Sequence, residues 1–195
     1  MQREKNASSV LVVSQSAKGH EYICDLLPQA SFYPIKYAPN AGEAKRLLMR
    51  KPFDIVVINT PLPDESGIEL ALDLSKDESI GILLMVKNDL YEQVSYKVED
   101  EGIFTVGKPG TKQGVYQAIK LLVASRARTM RAEMKAAGLK SKMEEIRLVN
   151  RAKWLLIDHL KMNESEAHRY IEKQSMDTRI SRRDIAESII RTYEN

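Results

Sequence analysis

The 195-residue chain has a single cysteine, Cys24, which excludes an internal disulfide framework. It has no apolar run near the ~20 residues that a membrane-spanning helix needs. Its opening residues, MQREKNASS, are polar and lack the apolar core of a signal peptide. These absences make the cytoplasm the expected location and leave no reason to expect a membrane partner. The three histidines, His20, His159 and His168, are far apart in the chain and have no partners at metal-ligand spacing. No metal site and no cofactor are therefore expected. No nucleophile stands beside a base in a recognisable pattern, so no catalytic residues are assigned and the chain is not expected to be an enzyme. Internal repeats and low-complexity tracts are also missing, and no proline occurs from Gln113 to Leu160.

Hydrophobic residues make up 43% of the chain and charged residues 29%, a balance suited to a folded globular protein of one large or two small domains. The net charge of +3 is unevenly placed. Residues 1–124 hold 14 Lys+Arg against 16 Asp+Glu (net −2), whereas residues 125–195 hold 16 against 11 (net +5). On charge alone, the basic tail fits a solvated helical surface as well as an anionic partner.

The first 110 residues alternate between two kinds of pattern. Val10–Val13, Ile55–Ile58 and Ile80–Val86 are continuous apolar runs rich in Val and Ile, as expected of parallel strands covered on both faces. Tyr33–Ala38 and Ile103–Val106 are weaker strand candidates. Helical patterns fall between them, over Gly19–Ala30, Ala41–Arg50, Gly67–Ser75 and Leu90–Glu101. This order predicts a parallel sheet with helices on both faces. A nearly unbroken helical stretch then runs from Gln113 to about Leu160. Met130, Met134, Ala137, Ser141 and Leu148 lie near heptad spacing along it and form a candidate coiled-coil seam. Asn163-Glu164-Ser165-Glu166 and Ser181-Arg182-Arg183-Asp184 have the form of capping boxes and predict further helix starts near 164 and 182.

The stretch FDIVVINTPLPDESG ends a strand at Asn59, with Pro63 four and Gly67 eight residues further on, and Lys108-Pro109 follows the last strand candidate. This spacing resembles the receiver domain of bacterial two-component response regulators. The resemblance implies a flavodoxin-like, five-stranded parallel sheet of order 2-1-3-4-5. It also places Ser14, Gln15, Asn59, Lys87 and Lys108 where that family builds its phosphoacceptor pocket. The chain departs from the family at the groups that do the chemistry. Ser14-Gln15 replaces the Mg²⁺-binding acids, Asn59 the phosphoacceptor aspartate, and Lys87 a hydroxyl residue. An amide is a poor nucleophile toward phosphorus, and neutral oxygens are poor Mg²⁺ ligands. A degenerate (pseudo-)receiver is therefore expected, controlled by a regulatory protein partner or by another signal that does not involve phosphorylation.

Residues 143–193 resemble the ANTAR domain, the RNA-binding module of transcription antitermination regulators. The resemblance rests on Ala152-Lys153, Ala167, Ile171, Met176, Arg179, Ile185, Ala186 and Ile189, with departures at Trp154, His168 and Ser175. It implies binding to stem-loops in nascent mRNA, one hairpin per subunit of a homodimer. The expected organisation is a receiver-like domain over 1–124, a helical or coiled-coil linker over 125–142 and an all-α three-helix ANTAR domain over 143–195. Leu155, Leu156, Ile171, Ile185, Ile189 and Ile190 can form the small core. Arg151, Lys153, Lys173, Gln174, Arg179, Arg182 and Arg183 are the candidate RNA-binding residues, because Arg and Lys neutralise phosphates and Arg also stacks on or forks onto unpaired bases. Trp154 could serve as an RNA-stacking platform, but its place next to Leu155-Leu156 makes the core its expected position. Two alternatives stay open: a DNA-binding response regulator, since three short helices with a basic face also suit a helix-turn-helix, and a partner-controlled protein-interaction module.

Overall fold

The computed structural model describes residues 7–194; residues 1–6, most of the polar opening segment, lie outside the described residues. The chain divides into two compact units, Met1–Met130 and Arg131–Asn195.

In the first unit, strands β1 (Ser8–Ser14), β2 (Phe32–Ala38), β3 (Ile55–Asn59), β4 (Gly81–Lys87) and β5 (Phe104–Lys108) form one sheet in the order β2-β1-β3-β4-β5. Every pairing is parallel. The period of two along each strand sends alternate residues to opposite cores. Val10, Val12, Ile55, Val57, Leu83 and Met85 pack with Ile23 of α1 (Ala17–Leu26) and with Val115, Ile119 and Leu122 of α5 (Lys112–Leu160). Leu11, Val13, Val56, Ile58, Ile82 and Leu84 pack instead with Ala41 and Ala44 of α2 (Ala41–Arg50), Leu70 and Ala71 of α3 (Ile68–Ser75), and Val94 and Val98 of α4 (Tyr91–Val98). Burial on both faces is why these strands read as unbroken apolar runs.

Two helices have boundaries that differ from the expected ones. The first helix begins two residues early because Ser16 caps it, its side chain accepting from the Gly19 N–H. It stops at Leu26 because Leu27, which precedes Pro28, is extended. The stretch expected as one helix over Leu90–Glu101 is a shorter helix with 3-10 turns on either side, Asn88–Leu90 and Glu99–Glu101.

In the second unit the last turns of α5 pack with α6 (Glu164–Thr178) and α7 (Arg182–Tyr193). Both halves of the capping box form at Asn163 and Glu166. Ser181 caps α7 by accepting from the Asp184 N–H. The core takes one alanine and one larger residue from each helix: Ala152 and Leu156, Ala167 and Ile171, Ala186 and Ile189. Leu155, Ile185 and Ile190 lie at its edge. The sequence reading missed the alanines as core residues; their small side chains let the three short helices approach one another.

Two apolar expectations are corrected. Trp154 is 71% exposed and does not enter the core, because Ala152 and Leu156 take the inward positions of that turn. Leu148 packs against the small core and is not free for the seam assigned to it. The large apolar side chains that α5 leaves open in this unit include Leu139, Met143 and Ile146, at 64%, 72% and 60% exposure.

Candidate functional site

The carboxyl ends of β1, β3, β4 and β5 bring four of the five receiver-pocket positions together. Ser14 lies opposite Asn59 in the β1–β3 register, and Lys87 opposite Lys108 in the β4–β5 register. Asn59 uses both ends of its amide. Its Oδ1 accepts from Lys108 Nζ at 2.5 Å, and its Nδ2 donates to Ser14 Oγ at 3.1 Å. Lys108 also donates to the Thr60 carbonyl. Ser14 is buried and its carbonyl accepts from the Tyr37 hydroxyl at 2.9 Å. Gln15 is exposed in the turn after β1 and shares no hydrogen bond with the other four. Lys87 is exposed and acts on Lys108 through charge alone. Burial, and after it the Lys87 ammonium, hold the Lys108 pKa below its ordinary value.

The start of α1 closes over this cluster. A Cβ on Gly19 would stand 2.4 Å from Ser14 Oγ and 2.7 Å from Asn59 Nδ2, so only glycine lets the helix come so near. On the other side of Asn59, Gly67 has a left-handed φ of 78°, and a Cβ there would meet Thr60 Cγ2 at 2.9 Å. The acids in the loop after β3 serve α2 instead of the lysines. Asp64 accepts from the Ala41 and Gly42 N–H groups at 3.0 and 2.8 Å, which hold its carboxyl below the usual carboxylate range, and Glu65 pairs with Lys45 at 3.3 Å. Hydroxyl and amide groups beside two ammonium groups do not fit Mg²⁺, which demands hard, preferably anionic oxygens. Among the described residues no group of three or more His, Cys, Asp or Glu side chains is placed to hold a metal ion.

The helical unit divides the basic candidates into two sets. Arg151 forks onto the Glu194 carboxylate, and Lys153 pairs with Glu164 at 3.1 Å. Arg182 reaches Glu145 at 3.3 Å and Glu172 at 3.9 Å. Arg183 reaches Glu187 at 3.1 Å and Glu144 at 3.7 Å, and the hydrogen bond it donates to Glu187 pushes its pKa up. These four tie helices to one another as much as they face solvent. Lys173 and Arg179 are exposed with no carboxylate partner among the described residues, and Gln174 is half-buried beside them. Arg179 ends α6 in a left-handed conformation, φ 57°. Sequence reasoning passed over Lys140 and Arg147 on α5, which are likewise exposed and unpaired. Their heptad spacing to Trp154 was the available signal, hidden by the assignment of that ring to the core. No helix among the described residues is long and apolar enough to cross a membrane.

Residues 137–190 match the ANTAR domain family. Over 188 residues, 94% of this chain and 89% of the relative, the chain is 26% identical to the transcriptional regulatory protein PdtaR of Mycobacterium tuberculosis, in strains CDC 1551 / Oshkosh and H37Rv. The signal receiver domain of an HD domain-containing protein from Pseudomonas fluorescens Pf-5 superposes with a TM-score of 0.58 at 20% identity, covering 67% of this chain and 97% of that one. The chemotaxis response regulator CheY4 of Vibrio cholerae gives 0.53 at 16% identity, covering 60% and 99%. At such identities these two matches establish the fold of the first unit. The chain thus joins a unit of receiver fold to a helical unit whose residues 137–190 match the ANTAR domain family.

Proposed function

We infer that this protein is an RNA-binding transcription antitermination regulator that recognises stem-loops in nascent mRNA in the cytoplasm. The observation that carries this reading is the ANTAR match over residues 137–190, on a helical unit that leaves cations exposed with no carboxylate partner among the described residues. Phosphates attract such cations, and the release of counterions from the nucleic acid makes the binding salt-sensitive. The receiver-like unit does not accept phosphate in this reading. Asn59 offers an amide already bonded to Lys108 and Ser14, and the carboxylates of the following loop are engaged at α2. A regulatory protein partner or another phosphorylation-independent signal controls it.

The reading includes a homodimer joined along α5. Ala132, Ala136, Leu139, Met143 and Ile146 follow one another at alternating steps of four and three residues, the spacing of a coiled-coil seam. The three large members of this row are exposed within one chain.

A gel shift with hairpin RNA, duplex DNA and single strands tests the reading. Retention of hairpin RNA, weakening as salt rises, is expected. Preference for duplex DNA would transfer the protein to the DNA-binding class, and no retention of any nucleic acid would leave a protein-interaction module. Incubation with acetyl phosphate and Mg²⁺ should add no mass to the β3 loop; a stoichiometric adduct there would overturn the phosphorylation-independent part.

A further inference from the structure

We propose that Trp154 is a stacking platform for an unpaired RNA base, set in a row of phosphate-facing cations on α5. The proposal rests on the RNA reading above and names the surface that does the reading. A single exposed apolar side chain is ordinary, so the argument is the row in which Trp154 stands. Lys140, Arg147 and Trp154 are spaced seven residues apart on one helix. Seven residues bring the helix back to within ~20° of the same direction, about 10 Å further along. The three side chains therefore share one face. Trp154 is 71% exposed, and Lys140 and Arg147 are exposed with no carboxylate partner among the described residues. The face points away from Ala152 and Leu156, which fill the small core. Arg151, one turn before Trp154, is held by Glu194, and Asp158, one turn after, marks the end of the basic stretch.

A second copy of the chain is the competing cover for this ring. The apolar row Ala132–Ile146 continues at Asn150 and Lys153, and Lys153 is turned to Glu164. The seam has therefore become polar by the level of Trp154. The cations near the indole lie on its N-terminal side, Arg147 open and Arg151 held by Glu194, while the exposed Asp158 bounds the C-terminal side. An aromatic face with cations on one side suits a nucleobase joined to its phosphates.

The chain has one tryptophan, so its intrinsic fluorescence reports on this residue alone. Full-length protein is used to enrich hairpins from an RNA pool with a randomised loop, and the enriched RNA is titrated into it. The indole emission should be quenched as RNA binds, and heparin, a polyanion without bases, should bind without quenching it. Trp154→Ala should weaken binding of the enriched RNA by about 5- to 100-fold, with unchanged circular dichroism. Trp154→Phe should retain most of the affinity. Binding of equal strength by parent and Trp154→Ala, with no change in emission, would overturn the stacking role while leaving the RNA reading intact. Failure to enrich any hairpin would overturn both. A blue shift that grows with protein concentration and ignores RNA would assign the ring to a contact between copies and overturn the proposal.

Discussion

The two units dispose of their charge in opposite ways. At the carboxyl edge of the sheet, Ser14, Asn59 and Lys108 bond to one another, and Gly19 lets α1 pack onto Ser14 and Asn59. In the helical unit, Lys140, Arg147, Lys173 and Arg179 stand in solvent with no carboxylate partner among the described residues. A pocket whose polar groups are satisfied from within offers a ligand little net gain, since any new hydrogen bond replaces an existing one. An unpaired cation in solvent gives up only water and counterions when it meets a phosphate. Under the proposed function, this difference places ligand binding on the helices and leaves the sheet to signal through its shape.

The sharpest way to break this comparison is to remove the helical unit's fold. Among the described residues its core has six buried side chains, and Leu156→Ala should cost about 3 kcal/mol. Hydrogen exchange read by mass spectrometry should show α6 and α7 losing protection and the sheet keeping it, and RNA retention should disappear. Full RNA binding by this variant would mean that the sheet-bearing unit binds the RNA.

The next effect lies at the opposite end of the sheet from Asn59. Asp54 accepts from the Ser9 N–H and hydroxyl, both at 2.7 Å, and pairs with Arg126 at 2.7 Å. Burial pushes its pKa up, but the Ser9 donors and Arg126 together outweigh burial and hold it below the usual value. A depressed carboxylate pKa gives stability that is present above the unfolded pKa of about 3.9 and is lost as pH falls through the folded value. Asp54→Asn should therefore cost about 1–2 kcal/mol at pH 7 in urea unfolding, discounted from a fully buried pair because the site is partly exposed. The gap from the parent should close in strong acid. A gap that persisted there would mean that shape, not charge, holds this corner.

Much of the fold was legible because burial on both faces writes itself into strands such as Ile55–Ile58 as unbroken apolar runs. The caps at Asn163 and Ser181 were legible for a local reason: side chain and backbone donor are three residues apart. What escaped was the choice between faces of α5. Trp154 and Leu148 both read as apolar residues on one helix, and only the positions of Ala152, Leu156 and the two following helices decide that Leu148 turns inward and Trp154 outward. The partners of Arg182 and Arg183 escaped likewise, because Glu144, Glu145 and Glu172 are remote in sequence. The engagement of Asp64 with the start of α2, leaving Lys108 without a carboxylate, also needed the tertiary structure.

The division of the basic residues can itself be tested. Arg183→Glu sets a carboxylate against Glu187 and Glu144 and should lower the melting temperature of the helical unit. Arg179→Glu removes a cation with no partner and should leave stability within about 0.5 kcal/mol, while reducing the salt dependence of RNA binding by about one phosphate contact. Thermal unfolding followed by circular dichroism, and binding measured across a salt series, separate the two. Equal stability losses would erase the distinction between ion-paired and open arginines.

The smallest expected effect concerns the two lysines at the sheet edge. The Lys108 pKa is lowered first by burial and then by Lys87. For a base with a depressed folded pKa, the penalty is present in full below that pKa, where both folded and unfolded states are protonated. It is relieved as pH rises from the folded value toward the unfolded one near ~10.4. Lys87→Ala removes the second cause and leaves the first. The Lys108 pKa should therefore rise part of the way back, without reaching its ordinary value. Stability at pH 7 should increase by a few tenths of a kcal/mol, since Lys87 is exposed and its field is screened. Added salt should shrink the gain, and so should raising the pH through the Lys108 titration. NMR of the Lys108 side chain, with urea unfolding at low and high salt, measures both quantities. A Lys108 pKa that did not move in Lys87→Ala would mean that burial alone depresses it. The neutral amide of Asn59 and the Thr60 carbonyl would then be sufficient company for Lys108.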